Sequence, residues 1–187
     1  MPLTSGSYHV GPDNGTLLIR TARAGAASRM GHYLVLEATR WSATVVVDAR
    51  TPDRSSVSAT VDGSSLVVRE AHGGALPLTD GQRGEIVRTI NDKVRRTGKY
   101  PSITFTSLAV TGDPKRAAVS GELTVAGVTR PATLAVVADE LAQAVRLTGT
   151  MSIVQSEFGI KPYSAMLGAL KVKDRVDVTV DVRLPAD

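Results

Sequence analysis

The residues able to do proton or metal chemistry are few and scattered. The three histidines, His9, His32 and His72, are far apart and lack the His-Glu-x-x-His spacing that sets two ligands on one helix face. Cysteine is absent, which removes thiol catalysis, disulfides and cysteine metal sites. There is no Gly-x-Ser-x-Gly nucleophile turn and no phosphate-cradling Gly-x-x-x-x-Gly-Lys loop. His72-Gly73-Gly74 has the composition of an esterase oxyanion loop, but without a nucleophile turn it reads as a flexible connection. An enzyme would need His32 or His72 to meet a carboxylate in a pocket. The expectation is a protein with no catalytic residues, no metal and no cofactor.

Histidine 32 stands out because it shares a strand face with Leu34 and Leu36. It reads either as a hydrogen-bonded residue at a strand end or as a polar contact at the mouth of a cavity.

Strand patterns of period two dominate the chain and would position such a face. They run through "TLLIRTA" from Thr16, "HYLVLEA" from His32, "WSATVVVDA" from Trp41, "SVSATVD" from Ser56 and "SLVVRE" from Ser65. They resume in "ITFTSLAV", "AVSGELTV", "ATLAVVA" and "VRLTGTMSIV", where Gly149 suggests a bend or bulge. The last, "RVDVTVDVRL", sets Val176, Val178, Val180 and Val182 against polar neighbours. "GELTVAGVTRPATLAVVADE" reads as two strands and a turn, with Leu123 and Val125 on one side. Eight to ten strands separated by turns predict an all-β antiparallel sandwich or barrel.

One amphipathic helix interrupts the strands at about 80–97. Thr79 and Gln82 form a capping-box pattern, and Ile86, Val87, Ile90 and Val94 make an apolar stripe. Acidic Asp80 and Glu85 lie early, and Lys93, Arg95 and Arg96 late, as the helix dipole favours. A barrel mouth or sheet edge is the expected seat for that stripe. The segment 156–174 is unusually apolar for a loop, carrying Phe158, Ile160, Tyr163, Met166, Leu167 and Leu170. It either folds over the core or lines an opening.

The chain has 187 residues, a net charge of +4 and 4% aromatic content, so small and β-branched residues do most of the burying. The mild positive excess suits a soluble surface and permits anionic lipid or phosphate. No basic run is interleaved with aromatics as base stacking requires, so no nucleic acid is expected. There is no stretch of membrane-span length and no signal-peptide pattern at the start, so the expected compartment is cytoplasmic. Exposed strand edges and a basic surface permit a homodimer.

Three blocks, "GKYPSITFTS", "VSGELTVAGVTRPATLAV" and "SEFGI…LGALKVKDRVDVTVDV", resemble in that order the blocks of the YceI-like family. The upstream "GPDNGTLLIRTARAGAASRMGHYLVLEATRW" resembles the start of one of its branches, with Gly31-His32 and Trp41. The resemblance spans nearly the whole chain. It implies a single domain over 1–187, a lipocalin-like barrel with one helix, and a long cavity for a polyisoprenoid or other long-chain lipid, held for transport, storage or sensing. Expected lining residues are then His32, Leu34, Leu36, Val45, Val57, Val61, Phe105, Leu123, Val125, Leu147, Met151, Phe158 and Met166. The other reading is a solid-core barrel serving as a protein-interaction scaffold. Gln155 departs from the family pattern, which often has arginine before this Ser-x-Phe-Gly block.

Overall fold

The computed structural model describes residues 4–74, 76–94 and 98–185; the side chains of Lys93, Val94 and Met166 also lie outside the description. Fourteen strands are present among these residues. They are β1 (Gly6–Val10), β2 (Gly15–Arg20), β3 (Arg23–Ala24), β4 (His32–Ala38), β5 (Trp41–Val47), β6 (Ser56–Asp62) and β7 (Leu66–Gly73). After the helix come β8 (Ser102–Gly112), β9 (Arg116–Val125), β10 (Val128–Glu140), β11 (Ala144–Val154), β12 (Ser164–Ala165), β13 (Leu170–Val172) and β14 (Arg175–Pro185).

Eleven strands make one antiparallel sheet in the order β1-β5-β6-β8-β9-β10-β11-β14-β2-β4-β7. β12, β13 and β3 form a small second sheet. The large sheet curls because β4 and β5 lie near its opposite ends yet are joined by only Thr39 and Arg40. β6 and β7 repeat the crossing through Gly63–Ser65. Two consecutive strand pairs thus bend from one end of the sheet to the other, which rolls it into the lipocalin-like barrel expected from the sequence.

The two crossings are bonded to each other. The Thr39 amide donates to the Ser65 carbonyl at 3.1 Å, and the Asp62 amide to the Arg40 carbonyl at 3.0 Å. The Ser65 hydroxyl donates to the Asp62 carbonyl at 2.7 Å. It is 2% exposed and so replaces water for otherwise stranded backbone. Asp62 caps the turn by accepting from the Ser64 amide at 2.8 Å and pairs with Arg40 at 2.7 Å.

Two register shifts keep apolar residues inside. Phe105 and Val110 have opposite parity, yet both are buried because β8 slips against β9 between Ser107 and Ala109; Leu108 is turned out instead. A second slip at Val35/Leu36 buries both residues of that pair. Gly149, read from sequence as a bend or bulge, lies in unbroken pairing opposite Val180. The side chains of Val180 and Leu134 would stand 2.8 and 3.0 Å from a Cβ there, so close packing explains the glycine.

The helix α1 spans Asp80–Thr89, with both halves of the Thr79–Gln82 capping box formed. It continues as a π-helical turn over Ile90–Val94 rather than as regular α-helix. Arg95 and Arg96, placed at its end from the sequence, lie outside the described residues. The helix lies along β7, where the Arg83 guanidinium donates to the Val68 carbonyl at 3.1 Å and so occupies an edge-strand acceptor. No described helix is long and apolar enough to cross a membrane.

The corner predicts a pH effect. Hydrogen bonds from Ser64 and then Arg40 lower the Asp62 carboxyl from its ordinary 3.8 to about 2. Its anionic form therefore favours folding above the unfolded value, and the contribution is lost as pH falls through about 2. The side chain is 38% exposed, and solvent screening holds the effect to about 1 kcal/mol. Asp62→Asn is expected to lower the urea midpoint at pH 7 and to narrow its gap to wild type as pH falls below 4. An equal loss at pH 2 and pH 7 would show that the charge is not what matters.

Candidate ligand-binding site

Inward residues of a packed barrel are fully buried, and here many are not. Leu34, Val45, Val57, Leu147 and Met151 face inward but are only half-buried. They border a cavity of about 980 Å³, at the upper end of the ~300–1,000 Å³ typical of small-molecule sites. The cause lies in composition. Val, Ala and Leu dominate the inward positions, and these side chains are too short to meet across the rolled sheet.

The structure places the residues singled out in the sequence as follows. His32, Leu34, Leu36, Val45, Val57, Val61, Phe105, Leu123, Val125, Leu147 and Met151 all border the cavity. Phe158 does not. It is 4% exposed and packs with Ile160, Phe105 and Leu134 in one of two buried clusters, so its ring is taken up in packing. The side chain of Met166 lies outside the described residues. Ala43, Ala59, Val178 and Val180 also line the space; their alternation was visible in the sequence. The helix adds Gln82, Glu85, Ile86, Thr89 and Ile90, because its stripe forms part of the wall.

The lining ends differently at the two extremes of the bent β4–β5 strand. Beyond β5 lie Asp48, Pro52 and Ser55, together with Asp113, Lys115 and Glu140. At the start of β4 lie Met30, Gly31 and His32, with Arg23, Tyr163, Leu170 and Lys171. Both Met30 and Tyr163 border the cavity while remaining 60% and 45% exposed, which marks an opening there.

His32 sits at this opening and, among the described residues, forms no ion pair with a carboxylate. Its Nε2 is 2.9 Å from the Leu76 carbonyl, and its ring lies against Gly74. It thereby pins the strap between β7 and α1. A histidine–carboxylate pair does exist elsewhere: His72 Nε2 is 2.8 Å from Glu70, but both side chains are half or more exposed and outside the cavity. His9 meets Thr44 at 3.2 Å. Among the described residues no cluster of three metal-ligating side chains occurs.

The apolar segment after β11 does both things expected of it. Phe158 and Ile160 fold over the core, while Tyr163 and Leu170 border the opening. Gln155 acts as a brace: its side chain donates to the Lys173 carbonyl at 3.0 Å and its amide to the Asp174 carbonyl at 2.9 Å. It also borders the cavity.

The description "YceI-like domain" matches residues 18–184 of the chain. Among solved structures, BcnA of Burkholderia cenocepacia is similar at 18% identity, over 90% of this chain and 95% of that one, with a TM-score of 0.68. The Campylobacter jejuni YCEI protein is similar at 16% identity, over 81% of this chain and 84% of its own, with a TM-score of 0.61. A polyisoprenoid binding domain from Saccharophagus degradans is similar at 12% identity, over 98% and 100%, with a TM-score of 0.58. At such identities these structures establish the fold. No curated protein matches the sequence.

The His32 latch can be tested by itself. His32→Ala should remove the bond to Leu76 at a cost of about 1 kcal/mol and speed amide exchange across the strap and α1, measured by hydrogen–deuterium exchange. The ladders of β9, β10 and β11 should keep their protection. Unchanged exchange in α1 would mean that the bond does not hold the helix.

Proposed function

The chain belongs to the YceI-like family, and from that premise we propose that it binds a long-tailed amphiphile, a polyisoprenoid or a similar lipid, inside the barrel. The observation that carries this reading is the cavity: about 980 Å³, walled chiefly by aliphatic side chains, with polar residues gathered at its ends. The polyisoprenoid binding domain that shares the fold supports the choice of ligand class. The whole chain acts as one such domain.

The energetics favour a tail over a compact polar ligand. At roughly 30 Å³ per water-sized group, the space holds on the order of 20–30 carbon atoms. Twenty buried methylenes contribute a gross ~16 kcal/mol, and association takes back about 4–15 kcal/mol. Only a long, deeply seated chain leaves a useful surplus. Histidine 32, Gln82 and Gln155 can orient a head group but cannot supply that much. The solid-core reading lacks support, since its interior would be filled.

The test is to fill the space. Ala59 borders the cavity and sits between Ala43 and Phe105 in the register, so an indole there projects into the void. Ala59→Trp should displace several methylenes at ~0.8 kcal/mol each and weaken polyprenol binding by about a hundredfold or more. Its melting temperature should stay within a few degrees of wild type. Binding can be followed by delivering polyprenol from cyclodextrin and detecting bound lipid by native mass spectrometry. A folded variant that binds as well as wild type would overturn the proposal.

A further inference from the structure

Around the opening beside His32, residues that should be hidden are exposed. Leu167 is fully exposed, Leu76 is 78% exposed, and Met30 and Tyr163 are 60% and 45% exposed. They come from three separate segments that the structure holds together. The turn 28–31 is tied to the β12–β13 hairpin by the Ala27 amide, which donates to the Ala169 carbonyl at 2.8 Å. The strap before α1, described from residue 76, is tied to β4 by His32 and Leu76 at 2.9 Å. Arg23, paired through β3 to β13, donates to the Gly31 carbonyl at 2.6 Å.

Leu167 is the most informative. It has φ +53 and is followed by Gly168 at φ +90, so the hairpin tip needs two residues in the left-handed region. Asparagine or glycine adopts that conformation readily; leucine does so at a steric cost. Among the described residues this leucine stays fully exposed and packs against nothing. The cost is offset only if the side chain finds an apolar environment outside the molecule.

The rim carries a group of exposed cations. Arg29, Lys161, Lys171 and Lys173 are exposed and, among the described residues, make no ion pair. Of the nearby carboxylates, Asp174 accepts from the Ser156 amide and hydroxyl, and Glu70 is held by His72. Glu157 remains outward on the same segment, and Asp80 and Glu85 of α1 are exposed as well. Apolar tips set among free cations match the interface of an anionic bilayer, where tips enter the acyl boundary and ammonium groups meet phosphates. A second copy of this chain would instead bring the same cations against each other.

The geometry points to this rim as a membrane-docking face that seats the cavity opening on an anionic lipid surface. The inference rests on the lipid-binding reading for its purpose, but its test does not. Docking would let a tail pass from bilayer to barrel through the strap and helix without crossing water.

The experiment is flotation with phosphatidylcholine vesicles, with and without phosphatidylglycerol, beside polyprenol uptake from cyclodextrin. Wild type should float with the anionic vesicles. It should release as salt rises from about 0.1 M to about 1 M, which shortens the screening length from ~10 to ~3 Å. The double variant Leu76→Ser, Leu167→Asn should bind those vesicles at least about tenfold more weakly, and Lys161→Glu, Lys173→Glu similarly at low salt. Asparagine accepts the left-handed conformation, so the first variant relieves strain. None of these four residues borders the cavity, so cyclodextrin-delivered uptake should be unchanged. Failure of wild type to float overturns docking, as do variants that float equally well. Loss of a dimer in place of vesicle binding would assign the face to a second copy and overturn it too. Flotation without uptake would keep the docking face and remove the cavity reading; uptake without flotation would do the reverse.

Discussion

The corner where two strand crossings are bonded together is the constraint from which the rest follows. An antiparallel sheet of eleven strands has two edges and no inside. Sending β4 into β5 and β6 into β7 across the ends turns one face inward and makes an interior. Ser65 and Asp62 supply the bonds that let two chain segments pass there in a buried place. The close approach of Trp41, Ala38, Val61 and Leu66 around them forms one of the two packed clusters.

A roll that wide cannot be filled by the residues on its inner face. The chain compensates by keeping its packing in two clusters, one at the corner and one around Phe105 and Phe158, with half-buried aliphatics packed against them. Strand ladders carry the wall between clusters, since their paired backbone groups already have partners. An apolar void costs dispersion contacts, and a ligand that occupies it restores them. Stability and occupancy are then linked, because whatever binds only the folded state stabilises it.

Strand periodicity was legible in the sequence because it is local: each alternation declares which side is wet. That sufficed to name the inward face from Leu34 to Met151 and the capped helix beginning after Thr79. The corner was not legible. "ATRWS" carries no Gly or Pro and reads as a plain interruption, while the bonds that define it come from Asp62 and Ser65, more than twenty residues away. The slip at Leu108 was hidden for a similar reason, since a bulge is set by the partner strand. Phe158, read from sequence as lining, is instead packed in a buried cluster, because an apolar loop residue can do either and sequence does not distinguish them. The volume itself depends on the roll. Gly149 illustrates the limit: a glycine in a strand announces that something is close, but only packing reveals Leu134 and Val180.

The two halves of the wall also differ in how firmly they are made. Between β5 and β2 the interior is bounded by continuous antiparallel pairing, which opens only by breaking many bonds together. On the β7 side it is bounded by α1, none of whose described residues is fully buried, and by a strap held through His32. A helix makes its own backbone bonds and can shift as a body without stranding any polar group. A strand in the same position would leave its neighbour's ladder open. The fold therefore places its one self-sufficient element where the wall has to yield, beside the opening with exposed apolar tips. The other end of the lining, at Asp48, Asp113 and Glu140, has no α-helix beside it among the described residues. If a tail passes in or out, the path of least cost runs past the helix.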